Sequence, residues 1–156
     1  MSIQLKHIVP CIFAFATTGM AQVSDYKLYQ DSVFNICRIY DDSLSLTNSI
    51  HQLQGLDTAK IEKNKDLYFR DLGFLHYKYY VISNDSNSLT TAIAMYKRGL
   101  VVEPKNTLLL HDLIVFSFLK KNYTDCIAYY NQFKQVAKPD KESKSLYKKA
   151  KSRPQP

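Results

Sequence analysis

Apolar residues recur along this chain every three or four positions, in blocks separated by short polar interruptions, a spacing that belongs to amphipathic helices rather than strands. In DYKLYQDSVFNICRIY, Tyr29, Val33, Ile36, Cys37 and Tyr40 fall at helical intervals. Asp41, Asp42 and Ser43 break that run and offer a cap for a second helix through about Leu53, with apolar points at Leu46, Ile50 and Leu53 and closure at Gly55. A third helix is expected after Asp57, charged at first, then amphipathic through Leu67, Leu72, Phe74 and Leu75 to a tyrosine-rich end at Tyr77, Tyr79 and Tyr80. SNDSNS, Ser83 to Ser88, reads as a loop, because short polar side chains compete for backbone hydrogen bonds.

The fourth expected helix runs from about Leu89 to Val102 and stops before Pro104, which disfavours helical geometry at Glu103. Asn106 or Thr107 caps a fifth helix to about Lys120, Asn122 makes a tight turn, and a sixth spans about Thr124 to Ala137. Asp140 caps a final basic helix. Seven helices on short connections predict antiparallel neighbours in an all-α fold.

Composition agrees with that reading. The 156 residues are 46% hydrophobic with only four glycines, too apolar for a disordered chain and too poor in turn residues for a β fold. The length fits one domain.

The N-terminus reads as an export signal: Lys6, the apolar stretch Ile8 to Ala16, then small residues ending at Ala21 before Gln22. The stretch is shorter than the roughly 20 apolar residues of a membrane span, and Pro10 rules out lipid attachment at Cys11. The expected organisation is a signal peptide over 1–21, a helical domain over 22–137, and a basic capping helix and tail over 138–156, in a periplasmic or secreted protein. Cys37 and Cys126 remain in the mature chain, either paired or, since both sit at apolar helical phases, buried as thiols.

Charge is concentrated at one end. Of the +7 total, Lys138 to Pro156 holds seven basic residues against Asp140 and Glu142, a net +5; Lys6 accounts for one more, leaving +1 for residues 22–137. Such a tail suits an anionic envelope polymer, a membrane surface or an acidic partner. Only Tyr147 among these lysines is aromatic, so nucleic-acid binding is not expected.

Self-comparison finds a repeat. Ala92-Ile93 matches Cys126-Ile127, Tyr96 matches Tyr130, and Asn106 matches Asp140, all at a displacement of 34. A helix pair repeating at this period resembles the tetratricopeptide (TPR) family, here as an exported bacterial TPR-like protein. Phe69, Leu72 and Gly73 are similar to the aromatic, leucine and glycine of that family's first helix; Ala92, Tyr96, Gly99 and Pro104 are similar to the small, aromatic, small and proline positions of its second. In the next unit Leu110, Leu113, Cys126 and Tyr130 match, whereas Ile114 replaces the glycine, Phe133 replaces the second small residue, and the proline slips to Pro139. The first unit has His76 for a tyrosine and about seven extra residues between its helices, close to two helical turns, taken up either by a longer helix or by a longer loop.

The resemblance implies antiparallel helix hairpins stacked as a short right-handed solenoid, whose first helices line a concave groove for a protein or peptide partner. Groove positions would be Leu67, Arg70, Phe74, Tyr77 and Lys78 in one unit, and Leu108, His111, Val115, Phe118 and Leu119 in the next. Arg70 and Lys78 would hold a carboxylate, beside Phe74 and Tyr77 as apolar contacts. The competing reading has the helices before Asp57 filling this groove. The asparagines and further lysines of the family's carboxylate clamp are missing, so a chaperone-tail receptor is not expected.

No nucleophile elbow, phosphate loop or metal-binding histidine pair is present. Glu62, Glu103 and Glu142 are the only glutamates, and His51, His76 and His111 share no spacing. The expectation is a non-catalytic binding or assembly module without cofactor or metal; the alternative is a tether whose basic C-terminal segment binds an anionic polymer or lipid.

Overall fold

Gly73, Ala92 and Gly99, the three small residues that motivate the hairpin reading, all lie buried between helices in the computed structural model, which describes residues 23–30 and 42–153. The expected signal segment, the Val33 to Tyr40 part of the first helical pattern, and Cys37 fall outside those residues. A helical turn at 26–30 is followed by α1 (Ser43–Gln54), α2 (Lys65–Ser83), α3 (Ser86–Val102), α4 (Thr107–Leu119), α5 (Tyr123–Val136) and α6 (Lys141–Lys151). No strand occurs among the described residues, only an isolated bridge between Asp25 and Lys63.

Two boundaries differ from expectation. The third helix begins at Lys65, not after Asp57. Asp57 instead turns the chain, its carboxylate accepting from the Ala59 N–H, and the backbone N–H groups of Glu62 and Lys63 donate to the Ser24 carbonyl. A distant segment therefore satisfies backbone groups that a helix would otherwise have satisfied internally. The SNDSNS stretch is likewise mostly helical. α2 continues through Ser83, and only Asn84 and Asp85 separate it from α3, which starts at Ser86 rather than Leu89. Asn84 takes the left-handed conformation that asparagine tolerates and returns its N–H to the Tyr80 carbonyl. Asp85 then accepts from the N–H groups of Asn87 and Ser88. The polar side chains cap helices here instead of forming a loop, and the extra residues of this unit go into a longer helix.

Neighbours in sequence pack side by side. The α2–α3 pair is antiparallel, because Gly73 meets Ala92 and Tyr96 while Asp66, seven residues earlier, meets Gly99, seven residues later than Ala92. A Cβ on Gly73 would lie 2.5 Å from the Tyr96 ring and 3.2 Å from the Ala92 carbonyl oxygen. One on Gly99 would lie 2.8 Å from a Leu109 methyl and 3.4 Å from the Asp66 carbonyl oxygen. Close approach is thus bought by missing side-chain bulk. The connection into α4 is fixed to the same end by Asn106, whose amide donates to Asp66 at 2.9 Å.

Positions 34 residues apart share their burial and their capping. Ala92 and Cys126 are both fully buried, Tyr96 and Tyr130 are both buried, and α4 and α6 start at Thr107 and Lys141 behind the caps Asn106 and Asp140. α6 packs on both α5 and α4. It inserts Leu146, Tyr147 and Ala150 into the core formed with Leu110, Ile114, Cys126 and Phe133, and stacks Tyr147 on Tyr130 with ring centres 4.2 Å apart. Cys126 is a free thiol within that core.

Candidate functional site

On α2, Arg70, Phe74 and Tyr77 are spaced four and three residues apart, so they project to one side. Leu72 and Leu75 project to the other and meet Leu46, Ile50 and Leu53 of α1. α1 therefore covers the opposite face from Arg70 and contributes nothing to the cavity that Arg70 lines. The 26–30 turn docks on α2 as well: the Tyr26 hydroxyl and the Gln30 amide both donate to the same oxygen of Asp71, at 3.0 and 2.7 Å.

Between α2 and α4 lies a cavity of about 280 Å³. Arg70, Phe74 and Tyr77 of α2 form one wall; His111, Asp112, Val115 and Phe116 of α4 form the other; Tyr96 of α3 and Glu142 of α6 complete it. The aromatic side is rigid. Tyr77 stacks on Phe116 with centroids 4.5 Å apart, and Tyr96 meets Phe116 edge-on at 5.1 Å.

The polar side is asymmetric. Arg70 is half-buried, and among the described residues it makes no ion pair, although its charge acts on nearby Asp71 and Tyr96. Its planar fork suits a carboxylate. Across the cavity, His111 is surrounded by acids: Asp112 lies 3.4 Å from one ring nitrogen, and Asp140 and Glu142 lie 3.2 and 3.9 Å from the other. Burial, with the Asp112 carboxylate next, holds the Tyr96 hydroxyl well above the usual tyrosine range, against the opposing pull of Arg70. Tyr96 thus presents a neutral hydroxyl group throughout the physiological pH range.

Five of the seven expected partner-binding residues are brought together here: Arg70, Phe74, Tyr77, His111 and Val115. Lys78 is half-buried on α2 and does not line the cavity. Phe118 belongs elsewhere. At about 100° per residue it stands about 40° from Ile114 but about 60° from Val115, and it joins the α4–α5 core with its ring edge-on to Tyr123 at 5.5 Å. Leu67 packs against the α1–α2 core, while Leu108 and Leu119 remain exposed.

Neither a protein-family model nor a curated protein matches this chain. Tyr96, Asp112, Phe116 and Glu142 were not expected to line the cavity. Asp112 and Phe116 are the sequence neighbours of His111 and Val115 on the same side of α4. Glu142 has no local signal, since its position depends on α6 folding back over α4. Among the described residues no group of three or more histidine, cysteine or acidic side chains is placed to hold a metal ion, and no helix is long and apolar enough to cross a membrane.

Proposed function

We propose that this protein is a non-catalytic interaction module of tetratricopeptide-like, right-handed solenoid architecture, which holds an extended peptide or partner protein in the groove between α2 and α4. The observation that carries the reading is Arg70: a half-buried guanidinium beside an aromatic wall of Phe74, Tyr77 and Phe116, opening on a cavity large enough for one or two side chains. The 34-residue register and the small residues at the α2–α3 contact support the architecture. Arg70 takes a carboxylate, from an acidic side chain or a free C-terminus, while Tyr77 and Val115 contact an adjacent apolar residue. His111, held among Asp112, Asp140 and Glu142, positions the α6 end of the groove instead of binding the ligand itself. The signal-like sequence of residues 1–21 supports an extracytoplasmic compartment for this activity.

The test is selection from a random peptide library displayed against the immobilised protein. Enriched sequences should carry a carboxylate next to an apolar residue, and should lose binding to Arg70→Ala and Tyr77→Ala variants whose helicity is unchanged. Enrichment indifferent to Arg70, or none, contradicts the reading.

A further inference from the structure

The groove leaves unused the strongest charge feature of the molecule. α6 divides cleanly into two sides. Ser143, Leu146, Tyr147 and Ala150 are the positions turned into the core, whereas Lys141, Lys144, Lys148, Lys149 and Lys151 are all exposed. At about 100° per residue the buried positions cluster around one direction and the five lysines fan out over the opposite half of the helix. Lys138 and Arg153 extend the exposed positive surface beyond either end. Because residues 22–137 carry only +1 of the +7 total, the molecule is a nearly neutral body with one positive edge.

We propose that the outer face of α6 binds an anionic lipid bilayer, lying flat on its surface without inserting. The charges are spread along a convex helix rather than converging in a cleft, which suits a planar array of headgroups better than a rod-like polymer. Lysines without arginine forks in the helix itself give diffuse attraction instead of bidentate recognition of individual phosphates. The face offers no ring for stacking bases, since Tyr147 turns inward onto Tyr130. Insertion is excluded because the apolar side of α6 is already occupied by the core of α4 and α5.

The test uses the full chain and sedimentation with two vesicle preparations, one of phosphatidylcholine alone and one containing about a third phosphatidylglycerol. Anionic vesicles should bind the protein and neutral ones should not, with binding lost as salt shortens the screening length. Replacing Lys144, Lys148 and Lys151 by Gln should lower partitioning about 100-fold, roughly fivefold per lysine, with the melting temperature unchanged. Arginine at the same three sites should restore it. Equal uptake by both preparations, or a Gln variant that binds like the parent, overturns the proposal. Binding to heparin or duplex DNA without binding to anionic vesicles also overturns it, in favour of a polymer.

Discussion

Gly73 lies against one edge of the Tyr96 ring: a Cβ at this position would come within 2.5 Å of two ring carbons. The ring has little room to move, because Tyr96 is fully buried and also meets Phe116 with ring centroids 5.1 Å apart. Gly73→Ala gains about 1 kcal/mol of helix propensity but forces apart the α2–α3 contact. Overpacking of this kind typically costs about 1–3 kcal/mol, and here it acts on backbone and a trapped ring, so net destabilisation is expected. Gly99→Ala should be milder, since its nearest neighbour is the end of the Leu109 side chain. Gly55, a C-cap with right-handed geometry and only ordinary contacts, should accept alanine with no loss. Urea unfolding of the three variants ranks them; Gly73→Ala as stable as wild type would contradict the packing described.

Asp71 should make stability depend on pH in an unusual direction. Burial pushes its carboxyl up to about 6, although the hydrogen bonds from Tyr26 and Gln30 and the Arg70 charge pull the other way. The folded value lies above the unfolded one of about 3.9, so the native state binds this proton more tightly. Its contribution is therefore greatest below about pH 4 and is lost as pH rises through about 6, by at most roughly 3 kcal/mol. Asp71→Asn keeps the oxygen that accepts both hydrogen bonds and removes the charge. It should raise the melting temperature near neutral pH and leave it unchanged near pH 4. Subtracting the two pH profiles isolates this group from His76, whose burial-lowered value acts oppositely. A difference independent of pH would refute the assignment.

Cys126 should be inert in the native protein. It is fully buried, and burial pushes its thiol up to about 11, so thiolate is scarce and inaccessible. Alkylation near pH 8 followed by peptide mass mapping should leave Cys126 unmodified until denaturant is added, with no reductant required. Labelling of the folded chain would show that the α4–α5 core opens.

The start of α3 reads three residues late, because its cap Asp85 lies in a polar stretch that reads as a loop, whereas periodicity makes the helices from Thr107 onward readable, with Asn106 and Asp140 capping their own helices. Periodicity fails at Asp57 to Asn64 for the opposite reason. That segment is held by Ser24 and Asp25, far away in sequence, and no local pattern encodes such a partner. The groove was half legible. Arg70, Phe74, Tyr77, His111 and Val115 follow from helical spacing once α2 and α4 are taken as facing, but Phe118, about 60° from Val115, packs on Tyr123 of α5 instead. Glu142 required knowing that the last helix folds back onto α4.

The most direct test of the account is a nuclear magnetic resonance titration of the protein with a peptide recovered from the library selection, following the side-chain Nε–Hε signal of Arg70 together with the backbone amides. Saturable shifts at Arg70, Tyr77 and Val115, with the amides of α6 from Lys144 to Lys151 unmoved, are the predicted result. Shifts confined to α6, or an Arg70 signal that stays in place while the peptide binds, would contradict a groove built around that guanidinium.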